Sequence, residues 1–154
     1  MLRPPVLLAA RDDFAAGKIE AAQLRQVEDE AITGAVAMQA GAGLQSATDG
    51  EFRRATWHMD FIYQIGGISK APGHLAVKFH NPGGDIEWTP AALHVGSKLR
   101  MDKTIFGEDF GYLRSVVPAG VTAKQTIPSP NMVHYRGGPA AIDPEVYPDI
   151  EGFW

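Results

Sequence analysis

Between residues 20 and 42 the chain carries an apolar stripe long enough to commit it to a helical layer. Leu24, Val27, Ala31, Ala35, Met38 and Ala42 recur at three- and four-residue steps, the spacing of one helix face. Glu28, Asp29 and Glu30 read as a solvated patch in the middle of that helix, and Gly41 and Gly43 supply its stop. A shorter helix is predicted over 5–16, entered through Pro4 and Pro5 and ended by Gly17. Leu44 to Phe52 then reads as a short strand running into a loop. Helix, glycine turn and strand in succession are what a βα-repeat fold delivers.

The pattern changes over 53–103, which reads as a β-rich insertion. Thr56 to Gln64 is aromatic and is broken by Gly66 and Gly67. His74 to His80 alternates like a strand, Asn81-Pro82-Gly83-Gly84 is a turn, and Asp85 to Thr89 is a return strand. The prediction is a β-hairpin whose loop is wider than two residues. A helix follows over 104–117, with Phe106, Phe110, Leu113 and Val117 on one face, ended by Pro118 and Gly120. Val121 to Ile127 reads as a further strand, and the Gly- and Pro-rich tail from Asn131 as a loop with one helical turn. The whole is alternating α/β with an antiparallel excursion, one domain over 1–154.

Charge and composition remove several functions. Fourteen Lys and Arg against 18 Asp and Glu leave a net charge of −4, a poor basis for neutralising nucleic-acid phosphates or anionic membranes. There is no cysteine, hence no disulfide, thiolate nucleophile or thiolate-held metal. This agrees with a cytoplasmic setting. No apolar run reaches the roughly 18 residues of a membrane span, and the N-terminal apolar stretch breaks at Arg11, Asp12 and Asp13, too early for a signal peptide.

The densest chemical cluster is Thr48-Asp49-Gly50-Glu51-Phe52-Arg53-Arg54, at the expected C-terminal end of a strand, where α/β folds bind ligands. Glu51 could hold an ammonium group or act as a base. Arg53 or Arg54 could clamp a carboxylate or phosphate. The alternative is a surface ion-pair loop. A second candidate runs from Ile127 to Gly138, where Ser129 and Asn131 could hydrogen-bond a ligand and His134 and Arg136 could meet an anion. The alternative there is a Pro-stiffened loop capping its own backbone. His58, His74, His80, His94 and His134 show no metal-binding spacing. Trp57, Phe61, Tyr63 and Trp88 could wall a ring-shaped ligand or simply fill a core.

At these residues the chain resembles a known family. The segments LRPPVLLAARDDFAAGKI, QVEDEAI, GLQSATDGEFRRATWHMDF, KFHNPGGDIEWTPAAL, TIPSPNMVHYRGG and IDPEVYPD, in that order, look like the N-terminal part of short proteins related to the catalytic half of cobalamin-independent methionine synthase. The resemblance implies a partial (β/α)8 TIM barrel, its first βα units, carrying a β-hairpin insertion. It implies methyl transfer from a methyltetrahydrofolate to the thiol of homocysteine; a related branch alkylates coenzyme M. By resemblance Glu51 holds the amino group of the thiol amino acid. Asp49, Arg53, Arg54 and His58 follow at the pocket rim, and Ser129 and His134 come from the segment after the next strand.

The resemblance also implies zinc, held in the family by His, Cys and Glu ligands of later strands. The expectation is that Trp154 precedes those ligands and that a first strand ending in Gly-Ser is missing before Leu2, so that the chain is a fragment. Zinc lowers a thiol's pKa and fixes it for attack. A chain holding Glu51 without the metal is expected to grip part of a substrate yet be inactive alone. It is also expected to pair with a complementary C-terminal chain, self-associate or be unstable, because two parallel strands leave raw edges. The rival readings are a non-catalytic module binding an amino acid or small anion, and a degenerate reading frame without function.

Overall fold

In the computed structural model the described residues are 1–72, 77–89, 91–135 and 138–154. His74, Arg136 and Gly137 lie outside them, as does the side chain of Trp88. The chain runs α1 (Pro5–Ala15), α2 (Ala21–Gly41), β1 (Ser46–Ala47), α3 (Met59–Ile62), β2 (Gly66–Ala71), β3 (Val77–Phe79) and β4 (Ile86–Trp88). It continues through β5 (Ala92–Arg100), α4 (Gly107–Val116), β6 (Thr122–Ala123), α5 (Asn131–Tyr135), a 3-10 turn (Gly138–Ala141) and α6 (Ile150–Phe153). Two compact units result, 1–55 with 106–126, and 56–105 with 127–154. The tail from residue 127 belongs to the same unit as the β-rich stretch.

The first unit is built from α1, α2, α4 and one parallel strand pair. α1 opens with Pro5 at its first turn, where the missing N–H is harmless. α2 opens on a capping box: Gln23 accepts from the backbone of Glu20 at 2.8 Å and Glu20 answers toward the first turn. Its buried face is Glu28, Ile32, Ala35, Val36 and Gln39. That is about one position round from the predicted stripe, and Met38 is exposed. The two polar members, Glu28 and Gln39, hid this face from a hydrophobic count. Leu24, Val27 and Ala31 sit at its margin, packed on a core of Leu7, Ile32, Ala35, Val36, Ala47, Phe52 and Leu113.

β1 and β6 pair in parallel, Ser46 with Thr122 and Ala47 with Ala123, and the N–H of Lys124 donates to the carbonyl of Ala47 at 2.9 Å. Both strands are much shorter than the predicted 44–52 and 121–127. The helix predicted over 104–117 forms as α4, with Leu113 fully buried.

The second unit holds two antiparallel pairs. β3 and β4 form the predicted hairpin, Phe79 opposite Ile86, with the N–H of Gly84 closing the turn on the carbonyl of Asn81 at 3.0 Å. β2 pairs with β5, a strand not foreseen in the sequence, through a bulge between Gly66 and Ile68. Gly67 makes that bulge at φ +94, where an added Cβ would lie 2.6 Å from the carbonyl oxygen of Ser97. Far from being a free loop, the tail is tied to β5. Asp143 N–H donates to the carbonyl of Val95 at 3.0 Å, and the Tyr147 hydroxyl accepts from Leu99 N–H at 2.8 Å. Met59, Ile62, Leu93, Val95, Val133, Ile142 and Tyr147 form the core. Among the described residues no helix is long and apolar enough to cross a membrane.

Candidate functional site

The residues after β1 form a tight loop whose entrance is clamped by a buried amide. Gln39 of α2 donates to the carbonyls of Ala35 (3.0 Å) and Thr48 (2.9 Å) and accepts from Thr48 N–H at 3.1 Å. Asp49, 1% exposed, accepts from Glu51 N–H at 2.9 Å, and the Thr48 hydroxyl accepts from Gly50 N–H at 3.2 Å. These short side-chain turns bend the chain through two successive left-handed residues, Gly50 at φ +64 and Glu51 at φ +60. Glycine is required at 50: a Cβ there would lie 2.9 Å from Cε1 of Phe52. Glutamate at φ +60 is strained, the kind of backbone that persists where surroundings over-determine it.

The two arginines of the loop have separate surroundings. Arg53, its side chain 5% exposed, is salt-bridged to Asp29, to Glu28 at 3.7 Å and to Asp109 at 3.6 Å. It also lies 4.9 Å from the ring centre of Tyr112. Arg54 is buried with its guanidinium 4.3 Å from the ring centre of Phe106. Glu28 and Asp29 are therefore no solvated patch: Glu28 is 7% exposed. Burial pushes its carboxyl above the ordinary range, with Arg11, Arg53 and Arg25 opposing.

Glu51 stands apart from these pairs. It is half-buried, and among the described residues its carboxylate makes no ion pair or hydrogen bond. Two cavities of this unit, about 450 and 330 Å³, are lined by neither Asp49 nor Glu51.

The remaining sequence candidates belong to the second unit. His58 is buried at the start of α3, its ring 4.6 Å from that of Trp57. Ser129 is exposed, and its carbonyl accepts from Met132 N–H at 3.0 Å as α5 begins. His134 is half-buried, its ring 5.7 Å from Trp154 and 6.4 Å from Phe153. Its buried Nε2 has no hydrogen-bond partner among the described residues. Tyr63 is spent on structure, its hydroxyl donating to the carbonyl of Ala92 at 2.7 Å. His80 pairs with Asp85 at 2.9 Å in the hairpin loop.

Among the described residues no group of three or more His, Asp or Glu is placed to hold a metal ion. The donors among the described residues do not fit a zinc site. Sequence reading missed Gln39, Arg3 and Arg11 as supports of the loop. The one available signal was Gln39, a glutamine at helical spacing from Ala35 and Val36.

No protein-family model matches the chain. It is 36% identical over 137 residues to the uncharacterized protein YxjG of Bacillus subtilis (strain 168), a match covering 89% of this chain and 35% of that protein. It is 34% identical over 154 residues to YxjH of the same organism, covering 100% of this chain and 39% of that one. The chain thus spans less than two-fifths of the length of these curated relatives. A solved structure from Listeria monocytogenes, provisionally described as a vitamin-B12 independent methionine synthase, superposes with a TM-score of 0.76 at 34% identity, covering 99% of this chain and 41% of that one. A B12-independent methionine synthase from Shewanella sp. W3-18-1, in complex with selenomethionine, gives a TM-score of 0.54 at 19% identity over 81% of this chain and 33% of that one. The second likeness concerns fold alone. Over its described residues the chain is a mixed helix and strand structure similar to part of a methionine-synthase-type fold.

Proposed function

We infer that this chain holds the amino-acid end of the thiol acceptor in a methyl transfer of the methionine-synthase type, with Glu51 gripping the ammonium group. The observation that carries this reading is the half-buried carboxylate of Glu51, unpaired among the described residues, on a strained and braced loop. Every neighbouring charge on that loop is committed to the protein: Asp49 to the turn, Arg53 to three carboxylates and Arg54 to a ring face. A carboxylate fixed in place accepts charge-assisted hydrogen bonds from an ammonium group worth about 1.5–3 kcal/mol. The bracing means that little ordering entropy remains to oppose binding.

The parallel pair of β1 and β6, with α2 and α4 on the same core, supports reading these elements as units of a (β/α)8 barrel. Sites in that architecture lie at the C-terminal strand ends, and the Glu51 loop follows such an end. The Listeria structure's description supports the thiol-methyltransfer reading at 34% identity. Activation of the thiol belongs to groups other than those described in this chain.

The test is calorimetric titration of the full chain with methionine and homocysteine. Both are expected to bind, and Glu51→Gln is expected to weaken each about tenfold or more. Equal affinity of Glu51→Gln and the unaltered chain would sink the assignment.

A further inference from the structure

The backbone acceptors of the Glu51 loop are satisfied by charged donors from α1 and the segment before it. Arg11 donates to the carbonyl of Phe52 and, at 3.1 Å, to that of Arg54. Arg3 donates to the carbonyl of Glu51 at 3.3 Å and to that of Arg54. Within the loop, Phe52 N–H reaches the carbonyl of Asp49 at 3.3 Å and Arg54 N–H that of Glu51 at 3.1 Å. Sheet and helix ladders stop short of this stretch, and the two left-handed residues depend on the added donors.

Arg11 is itself held. Its Nη2 lies 3.5 Å from Oε1 of Glu28, on α2. Glu28 also faces Arg53, whose backbone belongs to the loop, at 3.7 Å. One buried carboxylate thus restrains the loop twice, through a loop side chain and through the guanidinium bound to loop carbonyls. A planar guanidinium can serve two carbonyls and a carboxylate in one fixed orientation, which an ammonium group cannot.

We propose that Arg11, anchored by Glu28, is a positioning residue that fixes the Glu51 loop for its ligand; this rests on Glu51 being the ammonium-holding residue. The charged groups facing Glu28 are Arg11 from α1, Arg53 from the loop, Arg25 on its own helix and Asp109 from α4. Its carboxyl lies above the ordinary range through burial. Proton uptake by Glu28, at a pH above that of an ordinary carboxyl, therefore removes the charge that orients Arg11.

The experiment uses the full chain with Arg11→Gln, Arg11→Lys, Glu28→Gln and Glu51→Gln. Methionine affinity is read by calorimetry, and the exchange of the Phe52 and Arg54 amides by NMR, with circular dichroism to establish folding. Arg11→Gln is expected to weaken methionine binding about tenfold and to speed both amides about tenfold, with Arg11→Lys intermediate. Affinity of the unaltered chain is expected to fall as the solution is acidified through the raised range of Glu28, and Glu28→Gln to flatten that profile. If Glu51→Gln loses binding while Arg11→Gln and Glu28→Gln both keep it, the positioning role is refuted and the Glu51 assignment stands. If Glu51→Gln binds normally, the functional reading fails, and unchanged exchange at Phe52 and Arg54 in Arg11→Gln would refute the bracing as well. Should Arg11→Gln not fold, Arg11→Lys and Glu28→Gln decide the same question.

Discussion

Replacing Glu51 by glycine should separate stability from binding. Glu51 sits at φ +60, a left-handed conformation that costs a side-chain-bearing L-residue roughly 1–2 kcal/mol. Glycine adopts it freely but loses more chain entropy on folding, about 0.5–1 kcal/mol. The backbone N–H that Asp49 accepts and the carbonyl that Arg3 reaches remain in place. Glu51→Gly should therefore stabilise the fold by about 0.5–1 kcal/mol, roughly 1–4 °C in midpoint for a chain of this size. Glu51→Ala keeps the strain and should leave the midpoint near that of the unaltered chain. Both variants lose the carboxylate, and methionine should bind at least about tenfold more weakly to each. Thermal melts followed by circular dichroism, paired with calorimetry, read both quantities. A glycine variant less stable than the alanine variant would refute the strain argument. An alanine variant with undiminished affinity would refute the role of the carboxylate.

Gly50→Ala should destabilise by about 1–3 kcal/mol, since its Cβ meets Phe52 at 2.9 Å in a left-handed backbone; urea titration reads this. Gln39→Leu leaves Thr48 N–H and carbonyl without their side-chain partners and should cost about 1–3 kcal/mol, again by urea titration. The stability-versus-pH profile should show Glu28. Its folded carboxyl is raised, so the folded state holds the proton where the unfolded chain has lost it. Its contribution is present at acid pH and is lost as pH rises from the ordinary carboxylate range through the raised one. Melts of Glu28→Gln across that range should lack this slope.

Helix positions were legible because their signals are local: Pro5 and Gly43 each act within one turn, and the apolar stripe of α2 repeats every three or four residues. The hairpin was legible because Asn81 to Gly84 carries its turn chemistry in four residues. β5 was not legible. It buries Leu93 and Val95 but then passes through Gly96, Ser97 and Lys98, and its partner β2 begins with the two glycines that read as a break. Pairing between segments so far apart leaves no periodic trace in either. The Thr48–Arg54 cluster stood out as a candidate site from its charges. Its supports did not, because Arg11 and Gln39 act across 41 and 9 residues of sequence.

Three carboxylates of the first unit show how surroundings divide one functional group into different tasks. Asp49 is closed off, and its oxygen is committed to the N–H two residues on. Glu28 is also buried but faces Arg11 and Arg53, so removing its charge would leave cations with poorer partners inside the protein. Among the described residues Glu51 has neither engagement, and it occupies the one backbone conformation of the three that carries strain. A side chain that served only the fold would gain by becoming glycine at that angle. On the proposed function, the glutamate at that angle is accounted for by the ammonium group it would hold, and the other two by the protein groups they meet.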